Sequence, residues 1–256
     1  ILKFTFDQSK IFPGTSRDCW IYVPAQYQPD KPACVYINQD GIQWKASTVF
    51  DNLIYKNEMP VTIGVFVMPG RVRAANAATA NDRYNRSFEY DGLGEAYVRF
   101  LIEELKPFID QRYRTKRTAD FTGIGGSSLG GLATLVLGIW FPDHFARLAV
   151  MSPSVWWDNC AVYKIVDAID AKTKPPLKIW LDTGTLESGF QVGREVGKAV
   201  DGPAREEVRK RAQSIKPRQN SPPTRMIGIL RLLPVCTSVR HSVSSSMVPK
   251  PPGMTT

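Results

Sequence analysis

The sequence predicts an α/β fold in which helices cover both faces of a mostly parallel central sheet, and three observations carry the prediction. Val61 to Met68 is an unbroken apolar, β-rich run closed off by Pro60 and Pro69-Gly70, the pattern of a strand with no solvated face. Ala119 to Ile124, a glycine-rich turn and the apolar Leu129 to Trp140 read in succession as strand, sharp turn and buried helix. Leu148 to Met151 and Leu177 to Leu181 then repeat the short buried strand on either side of a helical pattern from Ala161 to Ala171. Strands alternating with helices are what a parallel sheet with crossover connections requires. At 256 residues and 43% hydrophobic content the chain can bury one sizeable core.

The remaining elements follow in order. Phe4 to Phe6 and Cys19 to Val23, separated by the Pro13-Gly14 turn, are expected to pair antiparallel at one sheet edge, and Pro24 ends the second. Ala33 to Ile37 is the next strand, running into Asn38-Gln39-Asp40-Gly41-Ile42, and Phe50 to Lys56 predicts a helix. The polar stretch Arg71 to Asp91 carries no clear period; segments this long are usually functional or mobile. Within it Arg86 and Glu89 could form a local ion pair shaping the rim of a pocket, although a solvated surface pair is the commoner outcome for such residues. Apolar residues at Tyr97, Val98, Phe100, Leu101, Leu105, Phe108 and Ile109 predict one amphipathic helix with Glu103 and Glu104 facing water.

The turn between the strand and the buried helix holds a Gly-x-Ser-x-Gly pentapeptide centred on Ser128, flanked by Gly126 and Gly130 with Gly125 and Gly131 beyond. A serine at a sharp strand-to-helix turn is held in a strained conformation that lifts its hydroxyl clear of the sheet, and residues without bulk two positions either side make the turn possible. Ser128 is therefore the candidate nucleophile of an α/β-hydrolase fold, and the Leu129 N–H is a candidate oxyanion donor. The second donor in such an architecture comes from the loop after the third strand, where Gly41 or Ile42 is placed for it. An acid is expected in the loop after the strand at 177–181, where Glu187 and Asp182 both qualify by position; Asp182 is the second candidate because it could instead cap the loop. Trp156 and Trp157, just past the C-terminal end of the strand at 148–151, are candidate walls of an acyl or aromatic substrate pocket, the alternative being that they cover the core.

Composition breaks near residue 190. Residues 1–190 hold 21 Lys/Arg and 20 Asp/Glu, whereas residues 191–256 hold 12 and 4, so the net charge of +9 belongs almost wholly to the last quarter. All 27 aromatic residues lie at or before Phe190. A core is seldom completed without Phe, Tyr or Trp, and the tail is punctuated by seven prolines from Pro217 onward and by the serine-rich run Ser242 to Ser246. The expected organisation is a catalytic domain over residues 1–215 and a basic, poorly ordered tail over 216–256. Its dispersed basic residues, with no aromatic to stack on bases, argue against nucleic acid as a partner. Cys19, Cys34, Cys160 and Cys236 lack the spacing of a zinc site or a disulfide framework and read as core thiols. No metal or organic cofactor is called for, and no apolar run approaches the length of a membrane span. The sequence begins at Ile1, which leaves the compartment open between cytoplasm and, after removal of a signal peptide, periplasm or exterior.

Gly125 to Gly131, Ser152 to Trp157 and the Asp182-x-Gly184-x-x-Glu187 loop together resemble the esterase family typified by enterochelin esterase, which also includes feruloyl and other carbohydrate esterases. The likeness runs from about residue 5 to residue 190 and extends to Ser9–Thr15 and Arg86–Tyr90. It implies Ser128 as nucleophile, Glu187 rather than Asp182 as the acid, and a small-molecule or carbohydrate ester as substrate, of carbohydrate, feruloyl or siderophore type. Members usually end with a strand, a Gly-rich turn bearing His and a Trp on the last helix, and that ending is not found here. Of the two histidines, His144 belongs to the connection after the nucleophile helix and is expected at the surface, while His241, after the apolar Met226 to Val239, has the chain order of the base. A change of reading frame would account for the aromatic deficit, the basic excess and the absent motif together, since Ser246 to Gly253 back-translates with an offset of two to permit His-Gly-Ser-Glu-Ala-Ala-Trp. The alternatives to an esterase are a hydrolase-fold protein without a competent histidine and an acyltransferase of the same architecture.

Overall fold

A computed structural model describes residues 1–91, 95–169 and 176–184 of the chain. Its strands are β1 (Leu2–Phe6), β2 (Arg17–Tyr22), β3 (Cys34–Gln39), β4 (Thr62–Val67), the two-residue β5 (Arg71–Val72) and β6 (Arg83–Tyr84), β7 (Thr122–Ser128), β8 (Arg147–Pro153) and β9 (Lys178–Asp182). The helices are α1 (Ala46–Tyr55), α2 (Arg86–Tyr90), α3 (Glu95–Arg99), α4 (Lys106–Asp110), α5 (Leu129–Trp140), α6 (Trp157–Cys160) and α7 (Val162–Asp167).

Seven strands form one sheet in the order β1-β2-β4-β3-β7-β8-β9. The β1/β2 and β2/β4 pairs are antiparallel and the other four pairs are parallel. The expected antiparallel opening is thus present at one edge, followed by a parallel body. β3 and β4 are buried along their whole lengths, as strands sandwiched between helical layers must be. Alternate side chains feed two cores. Val35, Ile37, Leu148 and Val150 pack with α3, α5 and α7, whereas Tyr36, Ala149 and Met151 pack with Val49, Phe50 and Leu53 of α1.

The predicted helix over 97–109 is broken into α3, a π-helical segment Phe100–Leu105 and α4. Pro107 at the start of α4 explains the break: it has no N–H for the fourth preceding carbonyl, and a wider turn relieves its ring. Only Glu103 of the two glutamates behaves as expected, pairing with Arg99 at the surface. Glu104 turns inward and accepts hydrogen bonds from Ser9 Oγ at 2.6 Å and from the N–H groups of Lys10 and Ile11 at 2.7 and 3.1 Å. It anchors the loop between β1 and β2, a contact across more than ninety residues of sequence. The stretch from Arg71 to Asp91 contains the β5/β6 ribbon and α2. Cys19 and Cys34 are buried thiols, and Cys160 is half-buried. Among the described residues no helix is long and apolar enough to cross a membrane.

Candidate active site

Adjacent strands β3, β7 and β8 run parallel, and the end of each carries a residue in the left-handed region: Asp40 just after β3 at φ 62°, Ser128 at the last position of β7 at φ 58° and Ser152 one residue before the end of β8 at φ 40°. Non-glycine residues held there cost about 1 to 3 kcal/mol each, and such strain gathers where a chain is bent for function.

Ser128 is the sharpest of these bends. With φ 58° and ψ −123° it is the last residue of β7 and leads directly into the first turn of α5. The turn closes only because its neighbours lack side chains. A Cβ on Gly126 would lie 2.5 Å from the Gly130 carbonyl oxygen, and one on Gly131 would lie 2.9 Å from the Met151 oxygen. The Leu129 N–H is one of the orphan amides of the first turn of α5, at the positive end of the helix dipole.

The loop after β3 is held from several sides. Asn38 Nδ2 donates to the carbonyls of Gln39 and Gly41 at 2.7 and 3.0 Å, and the buried Gln39 Nε2 donates to Thr134 Oγ1 on α5 at 3.2 Å. The Gly41 N–H, one of the two predicted oxyanion donors, donates to Val67 O at 3.1 Å. Asp40 receives both Nε and Nη2 of Arg86 at 2.8 Å and gives its N–H to Tyr90 Oη at 3.3 Å. These bonds to Asp40 raise the Arg86 pKa, and burial pushes Tyr90 well up, keeping its hydroxyl neutral.

The expected Arg86–Glu89 pair does not form. The two side chains leave α2 in different directions, Arg86 to Asp40 and Glu89 to Arg17, with which Glu89 makes a doubly hydrogen-bonded pair at 2.9 and 3.0 Å. α2 thereby links the loop after β3 to β2.

Near the end of β8 the Ser152 N–H donates to Asp182 Oδ1 at 2.9 Å. The second candidate acid therefore ties the end of β9 to the end of β8. Ser154 follows: its N–H donates to Ser128 O at 3.0 Å, and its hydroxyl lies 3.1 Å from Ser128 Oγ. Trp157 packs partly against the core and donates its N–H to Ser154 O, while Trp156 meets its ring edge-on and is 52% exposed. His144 is exposed, after the far end of α5. α5, at 12 residues, is about 18 Å long, so its far end is remote from the elbow. Glu187 and His241 lie outside the described residues. Among the described residues no group of His, Cys, Asp and Glu could hold a metal ion.

Ser154, Asp40 and Tyr90 are the site residues that sequence reasoning missed. Ser154 had a signal, since it follows a strand whose neighbour carries the candidate nucleophile. The register that sets the two hydroxyls side by side, with Ser128 opposite Pro153 after a shift in the ladder, is a property of the sheet.

A family model described as "Putative esterase" matches residues 9–218. "Uncharacterized protein YbbA" of Bacillus subtilis is 25% identical over 212 residues, covering 77% of this chain and 76% of the relative. Ferri-bacillibactin esterase BesA of the same organism is 33% identical over 105 residues, 40% of this chain and 36% of BesA. The enterobactin esterase FES from Shigella flexneri, solved in the presence of enterobactin, superposes with a TM-score of 0.65 at 20% identity, over 80% of this chain and 51% of that one. The chain thus spans about half the length of that solved esterase, and the likeness establishes the shared α/β-hydrolase fold.

Proposed function

The chain belongs to this esterase family of carboxylic ester hydrolases, and from that premise we propose that it cleaves esters through an acyl-enzyme on Ser128. The observation that carries the reading is the backbone of Ser128, a non-glycine residue at φ 58° and ψ −123° where β7 meets α5, because nothing in packing alone requires a serine at so strained a position. A general base takes the Ser128 proton as Oγ attacks the ester carbonyl, and the tetrahedral oxyanion is held by the N–H groups of Leu129 and Ile42. Collapse expels the alcohol, and water then releases the acid. His241 is the base of this proposal and Glu187 the acid that orients it and stabilises the imidazolium.

The substrate class we propose is an ester carrying aromatic or sugar groups, of siderophore, feruloyl or carbohydrate type. The exposed face of Trp156 beside the nucleophile loop supports it, as do the names of relatives that act on ferri-bacillibactin and iron(III) enterobactin. The test is hydrolysis of short-chain p-nitrophenyl esters by the full chain and by Ser128→Ala. Loss of at least about a thousandfold in the variant, with an unchanged melting temperature, is the expected result. A folded wild-type chain no more active than the variant would overturn the reading.

A further inference from the structure

We propose that Ser154 is a further catalytic residue, a hydroxyl that donates to the nucleophile's oxygen while that oxygen attacks and again while it leaves. The proposal rests on the reading of Ser128 as nucleophile.

The two hydroxyl oxygens are 3.1 Å apart, and Ser154 is 4% exposed. Its position is set by backbone. Its N–H donates to Ser128 O at 3.0 Å, its carbonyl accepts the Trp157 N–H at 3.0 Å, and the Ser152 N–H two residues earlier is held by Asp182. The hydroxyl is therefore delivered to the reacting atom by a loop fastened to both neighbouring strands.

In a resting pair of serines either oxygen can donate. The reaction removes that ambiguity. When Ser128 Oγ forms its bond to the ester carbon, its own proton passes to the base, proposed as His241, and the oxygen carries negative charge as it attacks. The only hydrogen left between the two oxygens is then the one on Ser154. It stays on Ser154 throughout, so no proton is transferred to or from this residue and the step balances as attack plus proton loss to the base. Once the acyl-enzyme forms, Ser128 Oγ is an ester oxygen and a weaker acceptor. When water attacks, the same oxygen departs with developing charge and the Ser154 hydroxyl donates again. A donor whose bond is stronger in the transition states than in the ground states lowers both barriers. Ser154 is itself buried, so its hydroxyl is kept from bulk water and directed at that oxygen.

The test uses the full chain with a fluorophosphonate probe that phosphonylates an activated serine and releases fluoride, alongside p-nitrophenyl ester turnover. Wild-type chain is compared with Ser154→Ala, Ser154→Thr and Ser128→Ala. Labelling at Ser128 should slow about tenfold in Ser154→Ala, the worth of one hydrogen bond to a charged group, with kcat lowered in step and KM unchanged. Ser154→Thr, which keeps the hydroxyl, should recover to within about threefold. Equal labelling rates for wild type and folded Ser154→Ala would overturn the proposal and leave the nucleophile standing. Should Ser154→Ala fail to fold, a Ser154→Thr rate as low as the loss expected of alanine would overturn it equally. No labelling of Ser128 in folded wild-type chain would overturn the nucleophile reading itself, and this inference with it.

Discussion

Removing the charge of Glu89 should unfold this domain more readily than any exposed substitution, and the size of the effect can be worked from its surroundings. Arg17 and Glu89 are both fully buried, with N–O distances of 2.9 and 3.0 Å. The Gly70 N–H approaches both Glu89 oxygens at 3.2 Å, and the Arg17 guanidinium lies 3.9 Å over the Phe100 ring. At about 3 Å and an effective dielectric constant of about 20, the attraction is about 5 kcal/mol. In Glu89→Gln the amide oxygen still faces one donor, but the guanidinium has no neutral form available and remains a buried cation without a counter-charge. A net loss of about 3 to 5 kcal/mol is expected, a large part of the roughly 5 to 15 kcal/mol that holds a domain together. Urea unfolding followed by tryptophan fluorescence measures it directly, and the thermal midpoint should fall by about 10 °C. Arg17→Met combined with Glu89→Leu removes both charges and should recover more than half of the loss. A loss below about 1 kcal/mol in Glu89→Gln would refute the reasoning, since it would mean that water reaches the pair.

Two other predictions test the elbow and the core. Gly126→Ala puts a methyl 2.5 Å from the Gly130 carbonyl oxygen, where only backbone could yield; ester hydrolysis should fall about a hundredfold or more while the fold loses about 1 to 3 kcal/mol, and activity within threefold of wild type would show that the turn has slack. Burial pushes the Cys19 thiol up to about 12, so the folded chain holds that proton more tightly than the unfolded one. Its contribution to stability is full below an ordinary thiol value of about 9 and is lost as pH rises from there toward 12. At pH 8 iodoacetamide should modify Cys19 about a thousandfold more slowly in native than in unfolded protein, read by peptide mass spectrometry; native labelling within tenfold would contradict the burial.

The sequence alone determined what depends on short stretches of chain. The buried run at 61–68, the strand, turn and helix around Ser128, and the antiparallel opening were legible because side-chain periodicity and the steric demands of a tight turn act over a few residues. The substrate class and the roles of Glu187 and His241 rest on resemblance and proposal. Only the tertiary structure decided which side chains meet. Arg17 finds Glu89 across 72 residues, Arg86 finds Asp40 across 46, and Ser154 reaches Ser128 across 26. Arg86 and Glu89 sit one helical turn apart, and the local rule that such residues pair would hold on a solvated helix. Here β2 and the loop after β3 each bring an opposite charge to α2, fully buried at Arg17 and part-buried at Asp40, and those counter-charges outweigh a neighbour on the same turn. Strand order supplies those partners, and strand order is settled by how two cores fill on opposite faces of one sheet, a condition on the whole chain that no single stretch carries.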